Sequence, residues 1–243
     1  MPRLAITIGV LLLSLIVPIS SAGADFSVAI DIGHSPDSGG AFSARNRPEY
    51  SYNFKMALML LHELRRESRI RVFIINPEGE AISPQQRTDL INQAGPDFLI
   101  SIHHDSVQPI YLSEWRYRGD PATYCDRYRG YSIFISGKNS KARLSRSYAM
   151  IIGNQLRKFG FFPSIHHAEK IKGEDRHQID REAGVYSYDD LFVLKKSSCP
   201  AVLLECGIIK NRAEELLLRN PFYRRRLARA IRSAVRIIAA KSH

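Results

Sequence analysis

Cysteine is scarce in this chain. The three cysteines among 243 residues are Cys125, Cys199 and Cys206. None belongs to a Cys-x-x-Cys pair, which argues against a cysteine-ligated zinc site. Three thiols close at most one bridge and leave one over. Cys199 and Cys206 flank a strand-like run that would hold them apart, so any bridge is expected to involve Cys125. The His-Glu-x-x-His segment of short-motif metalloproteases is also missing. Internal repeats, low-complexity tracts and linkers are lacking, which excludes a solenoid and gives no sign of a second domain. Acid is in deficit: 24 Asp and Glu stand against 35 Lys and Arg, for a formal charge of +11. That balance suits an acidic polymer (cell wall, anionic lipid or nucleic acid) or simply a soluble basic surface, and charge alone does not choose among them.

Only one long apolar run is present, Leu4–Ile19, preceded by Arg3 and followed by Ala22-Gly23-Ala24. A positive residue, an apolar stretch and a small-x-small site, in that order, describe a cleaved export signal. The run is short for a membrane anchor and Pro18 sits near its end. Residues 1–24 are therefore read as a signal peptide, and the mature chain as periplasmic or secreted. Residues 25–243 remain, 219 of them (243 minus 24), enough for one α/β domain with a sizeable core.

Val28-Ala29-Ile30 reads as a buried strand that gives way, through Asp31, to Gly33-His34 and a loop rich in Ser, Pro and Gly. Past Pro48 comes Glu49, and helical spacing begins at once, with Phe54, Leu58, Leu61 and Leu64 on the expected buried face. Arg71–Asn76 reads as a second strand. Ser83-Pro84 supplies an N-cap and a first-turn proline for a helix to about Ala94, stopped by Gly95-Pro96. Phe98–Ile102 is a third strand, apolar throughout and so buried on both faces, and it runs into His103-His104-Asp105. Residues 108–130, with Trp115 and several tyrosines, look like an insertion beside the site, with room for a short helix. Tyr131–Ser136 is a fourth strand. Ser145–Phe159 is a helix with Ala149, Ile152, Leu156 and Phe159 on one face. Phe161–Ser187, which carries His166, His167 and His177, is expected to be irregular, and Leu191–Leu194 to be a brief strand or bend. Pro200–Glu205 is a fifth core strand that ends on a carboxylate. Asn220-Pro221 opens a C-terminal helix with Leu227, Ile231, Ala234, Val235 and Ile238 inward and arginines outward.

Three strand ends thus carry His34, His103 and Glu205, and Glu49 precedes a helix. Two histidines and a carboxylate with an open fourth position form a catalytic zinc pattern. A second carboxylate is then needed to take a proton from water and pass it to a leaving amine; Glu205, emerging from an apolar run, suits that work. Taken singly, each residue also has an ordinary reading: a hydrogen-bonded structural histidine, a helix-terminal charge at Glu49, half of an ion pair at Glu205.

Three segments carry a family resemblance. AIDIGHSPDSGGAFSARNRPEYSYN, QQRTDLINQAGPDFLISIHHDS and LFVLKKSSCPAVLLECGIIKNRAEE resemble, in order, the opening, middle and closing motifs of the zinc-dependent N-acetylmuramoyl-L-alanine amidases of the amidase type 3 family. The resemblance implies an α/β single domain with a central twisted mixed, largely parallel sheet and helices on both faces. It implies Zn²⁺ held by His34, Glu49 and His103, and Glu205 as the catalytic glutamate. It also implies hydrolysis of the amide between the muramic acid lactyl group and L-alanine. Peptidoglycan is then the polymer met, not nucleic acid; no membrane span remains after signal cleavage, and an activator protein is a candidate partner. Ile32 and Ser35-Pro36 depart from the family pattern in loop shape. His104-Asp105 replaces smaller residues after the ligand; strand alternation lets only one of His103 and His104 face the site, and the motif favours His103. Larger relatives cover the zinc with an inserted helix, which makes Glu114, in the 108–130 insertion, a candidate blocking carboxylate. The rival readings are a zinc peptidase or deacylase acting on another amide, and an inactive wall-binding module.

Overall fold

A computed structural model describes residues 26–242, so the signal peptide expected at 1–24 lies outside the described residues. In chain order the elements are β1 (Phe26–Ile32), α1 (Tyr50–Leu64), β2 (Ile70–Ile74), α2 (Pro84–Ala94), β3 (Phe98–Asp105), β4 (Ser113–Tyr117), β5 (Asp120–Tyr124), β6 (Ser132–Ile135), α3 (Ala142–Lys158), β7 (His177–Asp180), β8 (Val185–Ser187), α4 (Phe192–Lys196), β9 (Ala201–Ile208), α5 (Arg212–Arg219) and α6 (Pro221–Lys241). Seven strands form one mixed sheet in the order β2-β1-β3-β9-β6-β8-β7. The first four run parallel, β6 runs antiparallel to β9, and β7 antiparallel to β8. Because β1, β3 and β9 are parallel neighbours, their C-terminal ends open on the same edge, where α/β sheets place ligands.

Strand alternation divides the core between two faces. Val28, Ile30, Ile100, Ile102, Val202 and Leu204 pack against α1, α3 and α6, where Met56, Leu60, Ile152, Leu156, Ile231 and Val235 are buried. Ala29, Leu99, Phe134, Tyr186 and Leu203 face Ile91 of α2 and Leu194 of α4. Each large aliphatic chain taken fully out of water contributes about 1.5–3 kcal/mol, so the two clusters are the main hold on the sheet. The start of α2 follows the local chemistry: Ser83 and Gln86 form a reciprocal capping box, and Gly95 ends the helix in a left-handed conformation at φ 56°. At α6, Asn220 caps the first turn and Pro221 occupies it.

Several expectations are corrected. On α1 the buried residues are Tyr52, Asn53, Met56, Ala57, Leu60, Glu63 and Leu64, not Phe54, Leu58 and Leu61. The helix is apolar almost all round, and its inward face is settled by α6, whose Arg232 donates to the buried Glu63 carboxylate at 2.8 Å. Residues 108–130 hold a β4–β5 hairpin in place of an inserted α-helix, preceded by one 3₁₀ turn at Pro109–Tyr111. Its two-residue loop, Arg118-Gly119, has φ of 56° and 94°, the primed-turn geometry that matches strand twist. Phe161–Ser187 is not wholly irregular: it supplies β7 and β8, which extend the sheet. Leu191–Leu194 is not a strand or bend: Phe192–Leu194 open the short helix α4, and α5, which has no counterpart in the sequence pattern, is capped by Asn211. The three cysteines are all free and buried, so no bridge involves Cys125.

Candidate metal centre and facing carboxylate

β1 ends at Ile32, and the ladder runs one step further through Gly33, whose N–H donates to the Ile102 carbonyl at 3.0 Å. His34 follows with φ 67°, a left-handed conformation uncommon outside glycine. The turn is pinned from behind by Arg87 of α2. Its guanidinium donates to the carbonyls of Ile32 at 2.7 Å and His34 at 3.1 Å and to Asp31 Oδ1 at 2.6 Å. Asp31 Oδ2 accepts a further bond from Ser101 Oγ at 2.6 Å, so this buried carboxylate is fully engaged. The 35–48 loop returns the chain to the same edge, and Glu49 stands immediately before α1.

Glu49 lies between the two histidines. Its Oε2 is 3.0 Å from His34 Nε2 and its Oε1 3.0 Å from His103 Nδ1, and the two imidazoles meet edge-on at 5.1 Å between centroids. One donor atom from each of the three residues lies within 4.8 Å of the others. Burial works to raise the Glu49 pKa, but hydrogen bonds to His103 and His34, and their charges, prevail and hold the carboxyl well below the usual range. Asn53, one turn into α1, donates to Glu49 Oε1 at 3.0 Å, and the Ala41 N–H donates to Oε2 at 3.2 Å. Two histidines and a carboxylate fit a zinc-class cation, and the backbone has been cleared around them. A Cβ on Gly33 would fall 2.3 Å from the His103 ring, and one on Gly40 2.5 Å from His34 and 2.6 Å from Glu49.

His104 points the other way. It is 1% exposed, and its Nδ1–H donates to Asn53 Oδ1 at 2.8 Å. Burial pushes its pKa down to about 3, so it stays neutral near pH 7. The alternation of β3 thus puts His103 in the group and His104 beneath it.

Glu205 sits on β9 directly across from His103. Its Oε2 is buried without a hydrogen-bond partner, and burial, with the charges of Asp105 and Glu49, raises its pKa well above the usual carboxyl value. The carboxylate lines a cavity of about 240 Å³ with Asp105, His167 and Glu174; His34 and His103 line a neighbouring one of about 320 Å³, and Leu191 and Leu203 wall both. Glu114 is exposed on β4, opposite Thr123, and lines a different hollow with Trp115 and Lys210. Trp115 Nε1 is tied to the Ala44 carbonyl at 2.9 Å, which fixes the hairpin against the 35–48 loop. Among the described hydrogen bonds and ion pairs, Glu114 makes none to His34, Glu49 or His103. Asn53 and the Asp31–Arg87–Ser101 group escaped the sequence reasoning; a charged residue inside the apolar run of β1 was the available signal.

A family profile described as N-acetylmuramoyl-L-alanine amidase matches residues 28–236. The chain belongs to this amidase family. A Buchnera aphidicola (subsp. Schizaphis graminum) protein bearing the same amidase name is 25% identical over 226 residues, covering 85% of this chain and 94% of that protein. The crystal structure of the N-acetylmuramyl-L-alanine amidase from Mycobacterium smegmatis superposes with a TM-score of 0.70 at 20% identity, over 90% of this chain and 98% of that one. The CwlD amidase of Clostridioides difficile, solved in complex with the GerS lipoprotein, gives 0.64 at 18% identity, over 89% and 99%. At these identities the structural likeness is one of fold.

Proposed function

We propose that this amidase uses zinc to hydrolyse the amide between the muramic acid lactyl group and L-alanine in peptidoglycan, outside the cytoplasm. The observation that carries this reading is the convergence of His34, Glu49 and His103 beside a strand whose facing residue is the partner-free Glu205. His34, Glu49 and His103 would hold the ion, with Asn53 and the Ala41 N–H orienting Glu49. Zinc bound there supplies Lewis-acid polarisation of the scissile carbonyl and a lowered pKa for the attacking water.

Glu205 takes the proton that water loses and returns it to the departing L-alanine amine. Its desolvated setting keeps it basic enough for both transfers. Arg87 and Asp31 hold the His34 turn. Among the described residues no helix is long and apolar enough to cross a membrane. An export signal over residues 1–24 and a basic surface agree with work in the periplasm or outside the cell. A partner protein, with an activating role, is proposed for this chain; the CwlD amidase, solved in complex with the GerS lipoprotein, shows that an amidase of this fold can hold a protein partner.

The test is mass spectrometry of muropeptides after sacculi are incubated with the mature, zinc-loaded protein. Intact stem peptides with a free L-alanine amine are expected; cleavage confined to bonds within the stem would overturn the substrate assignment and favour a peptidase.

A further inference from the structure

A second group of metal-type donors lies outside the centre described above. Asp105 ends β3, two residues beyond His103, while His166 and His167 come from the 3₁₀ turn His166–Ala168, more than sixty residues on. Both imidazoles are aimed at one carboxylate oxygen. His167 Nε2 is 2.8 Å from Asp105 Oδ2 and His166 Nε2 is 3.3 Å from the same atom. One donor atom from each of the three lies within 4.8 Å of the others. We propose that Asp105, His166 and His167 form a second site for a zinc-class divalent cation, separate from His34, Glu49 and His103.

The outer contacts are those of metal-ligating histidines. His167 Nδ1 is held by Glu174 Oε2 at 2.8 Å, and Glu174 is itself fixed by Gln108 Nε2 at 3.0 Å. His166 Nδ1 is held by Ser164 Oγ at 2.9 Å. Each ring is thus tied at Nδ1 and presents Nε2 inward. His166 is fully buried, its ring faces Asp105 and the Ser106 backbone, and its Nε2 has no partner in full hydrogen-bonding geometry. A buried imidazole nitrogen left in that state is destabilising unless something fills the gap. A cation does so: donors about 2.0–2.1 Å from a tetrahedral ion stand roughly 3.4 Å apart, close to the His166–Asp105 spacing and within a small rotamer adjustment of the His167 one. Two nitrogens and one oxygen favour zinc, cobalt or nickel over magnesium or calcium, which take oxygen sets. The rings lie 3.8 Å apart between centroids, tilted by 38°, a proximity that two protonated imidazoles would resist.

No side chain is shared between the two groups, so this is not a bridged two-metal site. It opens on the same cavity as Glu205, with His167 and Glu174 in the wall. The competing account is a protonated His167 clamped between Asp105 and Glu174, with no ion. The inference does not depend on the amide cleaved, since its readout is metal content.

The experiment is metal analysis by mass spectrometry on folded protein loaded with Zn²⁺ and dialysed against metal-free buffer. About two ions per chain are expected for the parent, about one for His34→Ala, about one for Asp105→Asn, and none for the double variant. His166→Gln is the second route should Asp105→Asn fail to fold, with circular dichroism as the check. Titration of the His34→Ala protein with Co²⁺ gives an independent reading: visible bands of a His-ligated ion are expected there and should vanish when Asp105→Asn or His166→Gln is added. One ion in the parent, with His34→Ala empty and His166→Gln still holding one, would overturn the proposal.

Discussion

At the residue scale, Glu205 and His34 separate chemistry from metal retention. Removing the Glu205 carboxylate takes away the proposed proton carrier without touching His34, Glu49 or His103, so Glu205→Ala should lower turnover by about 10²–10⁴ while zinc stays bound. His34→Ala should lose turnover and the ion at the His34–Glu49–His103 centre together. Steady-state rates on sacculi and metal analysis of the same preparations check both. Asn53 acts at one remove. It donates to Glu49 Oε1 and to the Gly33 carbonyl and accepts from His104. Asn53→Ala should therefore weaken zinc binding roughly 10–100-fold and cost about 1–3 kcal/mol of stability, because His104 Nδ1 is left buried and unpaired. Competition with a zinc chelator and urea melts read these separately. A Glu205→Ala enzyme with near-parental turnover would remove the role given to that carboxylate.

At the level of elements, α1 shows how a helix that is apolar on most sides acquires one inward face. Leu60 is fully buried and Leu58 is 41% exposed, although both are leucines two positions apart. Leu60→Ala should cost about 2–5 kcal/mol through lost burial and the cavity left behind, and Leu58→Ala about 0.5 kcal/mol or less. Urea midpoints of the two variants check the assignment, and equal losses would contradict it. The β4–β5 hairpin carries the same lesson for turns. Arg118-Gly119 lacks the Asn-Gly or Asp-Gly signature, yet it adopts the positive φ pair that a two-residue hairpin needs. Nothing local announced it.

Across the whole molecule, two long-range features set solution behaviour. The thiols Cys125, Cys199 and Cys206 are buried and unbridged, and burial pushes Cys199 up to about 11 and Cys206 well above its usual value. Iodoacetamide should label none of them in the folded protein and all three in urea without reductant; labelling of only one in urea would reveal a disulfide. Glu214 of α5 joins distant segments: it accepts from the Gly130 N–H at 2.9 Å and from the Ile208 N–H at 2.9 Å. Burial outweighs those bonds and pushes its pKa from 4.5 up to about 7. A carboxyl raised by folding favours the native state while protonated. Its contribution is full below about pH 4.5 and is lost as pH climbs through about 7. The parent should therefore lose stability between pH 5 and pH 8 relative to Glu214→Gln, as read from urea midpoints at the two values.

What the sequence determined alone is what neighbouring residues decide among themselves. Apolar runs marked five of the sheet strands, Ser83-Pro84 and Asn220-Pro221 marked two helix starts, and His34, His103 and Glu205 were visible as polar groups following apolar runs, although β3 and β9 continue past His103 and Glu205. The family resemblance supplied the joint role proposed for them. Tertiary structure decided the rest, because each remaining feature depends on residues far apart in the chain. The inward face of α1 awaited Arg232, the short strands β7 and β8 awaited an edge to extend, and Asn53 became a support for Glu49 only when β3 brought His103 and His104 alongside. The meeting of Asp105 with His166 and His167 arises in the same way, since no local spacing records which strand end a distant turn will pack against.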